Sequence, residues 1–136
     1  MERDKSTSNK WRSLSSKEYI LVDLGRPAVF LLPVRKLKKR VSRDKTLEED
    51  LHQFIIRNFG AYTTSVIPSF GVWKKEKRAV ISDECREYEV SFLGKEKIPL
   101  LLKKLAEIAT FIGEECIYVK AGQYSALVYP RRRRNS

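Results

Sequence analysis

The chain has 136 residues, the size of one domain, with 42% apolar and 33% charged residues, enough for a self-sufficient core without a metal or disulfide. No run approaches the roughly 20 apolar residues of a membrane span, and Met1–Ser16 mixes acids and bases around no apolar block, unlike a secretory signal; a cytoplasmic protein is expected. The net charge is +11 and unevenly spread: residues 1–45 carry 13 Lys/Arg against 5 Asp/Glu, residues 46–129 carry 11 against 12, and residues 130–136 carry 4 against none. A nearly neutral body therefore bears two basic flanks, which attract polyanions by neutralising phosphates and releasing counterions.

Residues 1–16 read as a flexible basic arm in which Trp11 is the one large apolar side chain, free either to pack on the body or to stack on a base. Glu18–Leu24 and Ala28–Val34 are β-rich runs joined by Gly25-Arg26-Pro27, which predicts a hairpin. Pro33 puts the second run at a sheet edge or ends it. Arg35–Lys45 is a charged connector. Thr46 and Glu49 then form a capping box ahead of Leu47, Leu51, Phe54 and Ile55 at helical spacing, and Gly60 supplies a left-handed stop. Strands are expected over Ser65–Trp73, Arg78–Ser82 and Arg86–Leu93, with Lys74–Lys77 at a hairpin tip and Asp83 and Glu84 at a turn. In Arg86–Leu93, Tyr88, Val90 and Phe92 alternate with Glu87, Glu89 and Ser91, the pattern of a half-buried strand. Pro99 fits only the first turn of a second helix running from about Lys97 to Ile112. Cys116–Lys120 and Tyr124–Tyr129 pair through Gly122, and Arg131–Ser136 is a basic tail.

The order is ββ-α-βββ-α-ββ. It predicts an α+β fold in which two helices cover one face of a mainly antiparallel sheet, with a ferredoxin-like β-α-β-β-α-β core and extra strands at both ends. The domain is expected over residues 17–130, between the arm of 1–16 and a disordered tail of 131–136.

Catalysis finds little support. His52 is the one histidine, so paired-His metal sites are excluded, and no third group orients it toward Cys85 or Cys116, both expected to be free thiols. Asp83, Glu84, Glu87 and Glu89 are the best candidates for holding Mg²⁺ in a metal-dependent nuclease. Glu87 and Glu89, however, share the face opposite Tyr88 and Val90, as an ordinary solvated face does. The six glycines are isolated and make no phosphate-cradling loop. No catalytic residue, metal or cofactor is assigned.

The cations cluster instead. Arg35, Lys36, Lys38, Lys39, Arg40 and Arg43, with Lys45, form one group; Lys74, Lys75, Lys77 and Arg78 a second; Arg131, Arg132, Arg133 and Arg134 a third. Guanidinium groups bind phosphate oxygens bidentately, and Trp11 and Trp73 could stack on bases beside them. The leading expectation is a non-enzymatic RNA- or DNA-binding protein of low sequence specificity. An acidic protein partner, or self-association into a homodimer, is the first alternative and the nuclease the second. A nucleic-acid role predicts that the three basic clusters converge; a protein partner predicts a contiguous apolar patch.

Overall fold

The structure is a computed structural model that describes residues 9–65, 69–75, 78–122 and 124–131; for residues 9, 10, 69–75 and 78–83 it describes the backbone alone. A helical turn, α1 (Asn9–Arg12), precedes strand β1 (Arg26–Pro33). A 3₁₀ turn (Val34–Lys36) leads to a short ribbon of β2 (Arg40–Ser42) and β3 (Lys45–Thr46), and then to helix α2 (Leu47–Phe59). Next come β4 (Thr63–Thr64), β5 (Ser69–Lys75) and β6 (Arg78–Phe92), then helix α3 (Lys97–Ile112), β7 (Ile117–Ala121) and β8 (Tyr124–Val128). The fold is α+β. The order across the main sheet is β4-β6-β1-β7-β8, with β5 also paired to β6, and every pairing is antiparallel.

Both long helices begin and end on the signals expected of them. Thr46 Oγ1 accepts from the Glu49 amide and the Glu49 carboxylate accepts from the Thr46 amide, satisfying two donors the first turn of a helix leaves free. Gly60 and Gly113 close the two helices in the left-handed region. Leu47, Leu51 and Ile55 of α2, and Leu101, Leu105, Ile108, Ala109 and Ile112 of α3, are buried. They meet the alternate positions Ala28, Phe30 and Leu32 of β1, Tyr88, Val90 and Phe92 of β6, and Ile117 and Val119 of β7. The Phe30 and Tyr88 rings stack at the centre, 5.3 Å apart. Two helices thus cover one face, and period-two alternation sends Glu87, Glu89, Tyr118 and Lys120 to the other.

Two expectations require correction. Glu18–Leu24 forms no strand and no hairpin with β1. The physical reason is occupancy: β1 pairs with β6 on one edge and β7 on the other, so no edge of it remains for a local partner. Gly25 still takes the positive φ expected of it, 89°, but its role is close approach, since a Cβ there would stand 1.9 Å from the Phe92 carbonyl oxygen. Of the two outcomes expected of Pro33 the second holds: it ends β1, a central strand, and leads straight into the 3₁₀ turn. Finally, Asp83 and Glu84 lie inside one 15-residue strand and make no turn. At Cys85 that strand changes neighbours: Pro33 pairs on one side and Ser69 on the other.

That handover shapes the molecule. From Cys85 to Phe92, β6 lies inside the sheet beside β1; from Arg78 to Glu84 its one strand partner among the described residues is β5. The β5–β6 pair therefore runs past the end of β1 as a two-stranded ribbon about 23 Å long.

Candidate nucleic-acid interface

Strand direction decides where the basic segments go. β1 finishes at Pro33, and the Arg35–Lys45 cluster follows immediately. The ribbon of β5 and β6 extends past that same end, with Lys75 paired to Arg78 and Lys74 to Ala79 at its far tip. Because Phe30 pairs with Val119 and Ile117 with Val128, β7 starts and β8 finishes there too, and Tyr129 and Arg131 leave the sheet at the Pro33 end. Three segments remote in sequence thus start from one end of one sheet. Between the ribbon strand β6 and the tail strand β8 lie three strand spacings, about 14 Å.

Within the first cluster the lysines divide by task. Lys36 Nζ donates to the Ile112 carbonyl at 2.7 Å and Lys39 Nζ to the Phe111 carbonyl at 2.6 Å, so both cap the C-terminus of α3, where unpaired carbonyls and the helix dipole favour a cation. Lys39 also sits over the Phe111 ring, 4.5 Å from its centre. Lys45 bonds Gln53 and pairs with Asp50. Arg35, Lys38, Arg40 and Arg43 are exposed; Lys38 stands 3.6 Å from Glu48 with most of its side chain in solvent, and Arg40 donates to the Arg43 carbonyl across the β2–β3 turn. These four are the cations best placed to meet an anion.

The acids behind them are largely committed. Glu48 accepts from Arg86 at 2.7 Å, and Asp50 accepts from Lys104 at 2.8 Å. Partial burial would raise the Asp50 carboxyl, but Lys104 and then Lys45 outweigh it and hold the group below its ordinary value. Burial likewise works to lower the Arg86 guanidinium, yet its bonds to Glu48 and Tyr88 leave it raised. Tyr88, buried beneath this pair, is pushed up to about 12 and stays neutral. Glu114 and Glu115 stand at the Pro33 end as well, beside Cys116, whose thiol is raised chiefly by burial. The field at this end is therefore mixed, and only the local excess of cations can make it attractive to phosphate.

The other candidates scatter. Trp11 lines a shallow cavity with Tyr19, Ile20, Val22 and Leu93; Leu93 follows the Phe92–Arg26 pair, so Trp11 belongs to the opposite end, away from the basic segments. Trp73 sits on the ribbon opposite Val80, and its ring is not described. Lys77, Arg132, Arg133 and Arg134 lie outside the described residues. Tyr118 and Tyr129 are exposed aromatics toward the Pro33 end; Tyr118 was missed in the sequence, though the Ile117/Val119 alternation already turns it outward.

Glu87 and Glu89 are exposed on the uncovered face of the sheet, and two acids in a central strand repel phosphate there. Among the described residues no three His, Cys, Asp or Glu side chains are grouped to hold a metal ion; the Asp83 side chain is not described. His52 is exposed, with Nδ1 2.9 Å from the Tyr62 hydroxyl, and neither Cys85 nor Cys116 is in a disulfide. Among the described residues no helix is long and apolar enough to cross a membrane. No protein-family model, curated protein or solved structure matches this chain.

Proposed function

We propose that the chain is a non-enzymatic, cytoplasmic nucleic-acid-binding protein of low sequence specificity, which grips the phosphate backbone of RNA or DNA with the end of its sheet. The platform is read as a ferredoxin-like β-α-β-β-α-β core, formed by β1, α2, β4 together with β5, β6, α3 and β7, with β8 added at one edge. The carrying observation is topological: the Arg35–Lys45 segment, the β5–β6 ribbon and the chain after Tyr129 all leave the same end of the sheet. A ribbon of two strands is of a size to enter a duplex groove, and the cations that follow β1 and β8, both on the β1 side of the ribbon, would follow the flanking phosphates. Affinity would then come from counterion release, and base identity would matter little.

The test is binding of labelled single- and double-stranded RNA and DNA across a salt series, by the full chain and by a chain trimmed to residues 17–130. Six or more phosphate contacts would reduce affinity by about 10³-fold or more between 50 and 200 mM salt. Loss on trimming assigns the affinity to the arms, and retention assigns it to the body and ribbon. Binding indifferent to salt, or no binding by either chain, overturns the reading.

A further inference from the structure

Among the described residues, two parts of the chain with β-forming chemistry have an edge with no strand beside it. The first is Glu18–Leu24, a β-forming run left in coil: Ile20 is 89% exposed, Val22 75% and Leu24 60%. Apolar side chains this open, consecutive in one segment, mark a surface that is covered in use. The second is β8. Among the described residues it pairs with β7 alone, so its outer edge presents backbone donors and acceptors with no strand beside them, and Tyr124–Val128 contains no charge and no proline, the usual protections of such an edge. On its helix side Tyr124 and Ala126 are exposed, and an apolar cleft of about 130 Å³ opens between β8 and α3, lined by Leu101, Leu102, Val119, Tyr124 and Ala126.

We propose that the chain self-associates by reciprocal strand exchange: Glu18–Leu24 of each copy pairs with the free edge of β8 in the other, and Ile20, Val22 and Leu24 fill the cleft against α3. Alternation makes the two surfaces match. With Ile20, Val22 and Leu24 turned to the helix side, Tyr19 and Leu21 fall on the other side next to Leu127 and Tyr118, which are cross-strand neighbours there. Charge agrees as well. Glu18 and Asp23 are the two acids of the segment, while the receiving flank offers Lys97 at the cleft and Lys120 on β7.

The occupant is a second copy because one chain cannot serve itself. Gly25 adjoins the start of β1, and β7 and β8 lie between β1 and the free edge, so a strand added there is about 14 Å away laterally. Crossing that gap consumes about four extended residues, more than half of the segment that is to pair. A second copy, free to be positioned by its two-fold axis, carries no such constraint, and one contact satisfies both unpartnered features twice.

The mass of the nuclease-treated full chain should be followed by light scattering from micromolar to millimolar concentration. A rise toward twice the 15.9 kDa chain mass is expected, with Ile20→Lys/Val22→Lys and, separately, Ala126→Lys remaining monomeric. All three positions are exposed, and unchanged far-ultraviolet dichroism verifies that each variant is folded. In a Cys116→Ser background, a Val22→Cys chain mixed with an Ala126→Cys chain should form the mixed disulfide in preference to either self-pair. A chain that stays monomeric throughout, association unaffected by these substitutions, or Ala126→Cys linking mainly to itself, which means β8 pairing with β8, each overturns the exchange. Nuclease treatment and the cross-link keep this outcome separate from nucleic-acid binding.

Discussion

At Gly25 a single hydrogen atom is all the fold allows. Its φ of 89° lies where side chains are disfavoured, and a Cβ would collide with the Phe92 carbonyl at 1.9 Å. Gly113 has a similar φ of 74° with nothing within 4 Å. Gly113→Ala should therefore cost about 1 kcal/mol, the conformational penalty alone, and Gly25→Ala clearly more, about 3 kcal/mol, because backbone must also shift; urea unfolding of the two variants checks the order. The lysines of the first basic cluster separate in the same way. Lys36→Met and Lys39→Met should each destabilise by about 0.5–1 kcal/mol through loss of the α3 cap, whereas Lys38→Met, on an exposed pair, should change stability little. Asp50 gives the pH dependence. Its folded pKa lies below the ordinary 3.8, so its contribution is complete above the unfolded value and is lost as pH falls through the lowered one. Asp50→Asn should cost about 1 kcal/mol at neutral pH. The gap from the parent should close below pH 3.8, read by thermal unfolding at each pH.

Among the elements, those whose identity depends on nearby residues were legible in the sequence and those depending on a distant partner were not. The capping box at Thr46, Pro99 in the first turn of α3 and the terminal glycines are local signals, and both helices form where those signals stand. Thr46→Ala should accordingly cost about 1 kcal/mol. Glu18–Leu24 has as good a strand composition as Ala28–Val34, but composition does not reveal that β6 and β7 occupy both edges of β1. The same limit hid the continuity of β6: charged Asp83 and Glu84 look like a turn, yet backbone pairing to β5 on one side and then β1 on the other carries the strand through them. Of the candidate interface, the three clusters were readable as charge; the common end from which Arg35, the β5–β6 ribbon and Arg131 leave the sheet was not, because strand direction is a property of the assembled sheet. Nor could the sequence disclose that Lys36 and Lys39 cap a helix some 70 residues away.

For the molecule as a whole, the sheet has two ends, and exposed cations occur at both. Arg35, Lys38, Arg40 and Arg43 lie toward the Pro33 end, while Arg26 and Lys95 are exposed at the Gly25 end. If net charge alone drew nucleic acid, removing any two of them would weaken binding alike, since each change lowers the +11 total by the same amount. If phosphate contacts form at one end, the variants part. Arg35→Ala/Arg43→Ala should flatten the plot of log affinity against log salt for duplex DNA by about 1.8, because each lost contact contributes about 0.9. Arg26→Ala/Lys95→Ala should leave that slope unchanged. None of these four side chains is buried, so equal melting temperatures across the set would exclude unfolding as the cause. Equal flattening by both pairs would instead mean that the molecule attracts phosphate over its whole surface and that the shared end of the three basic segments has no part in recognition.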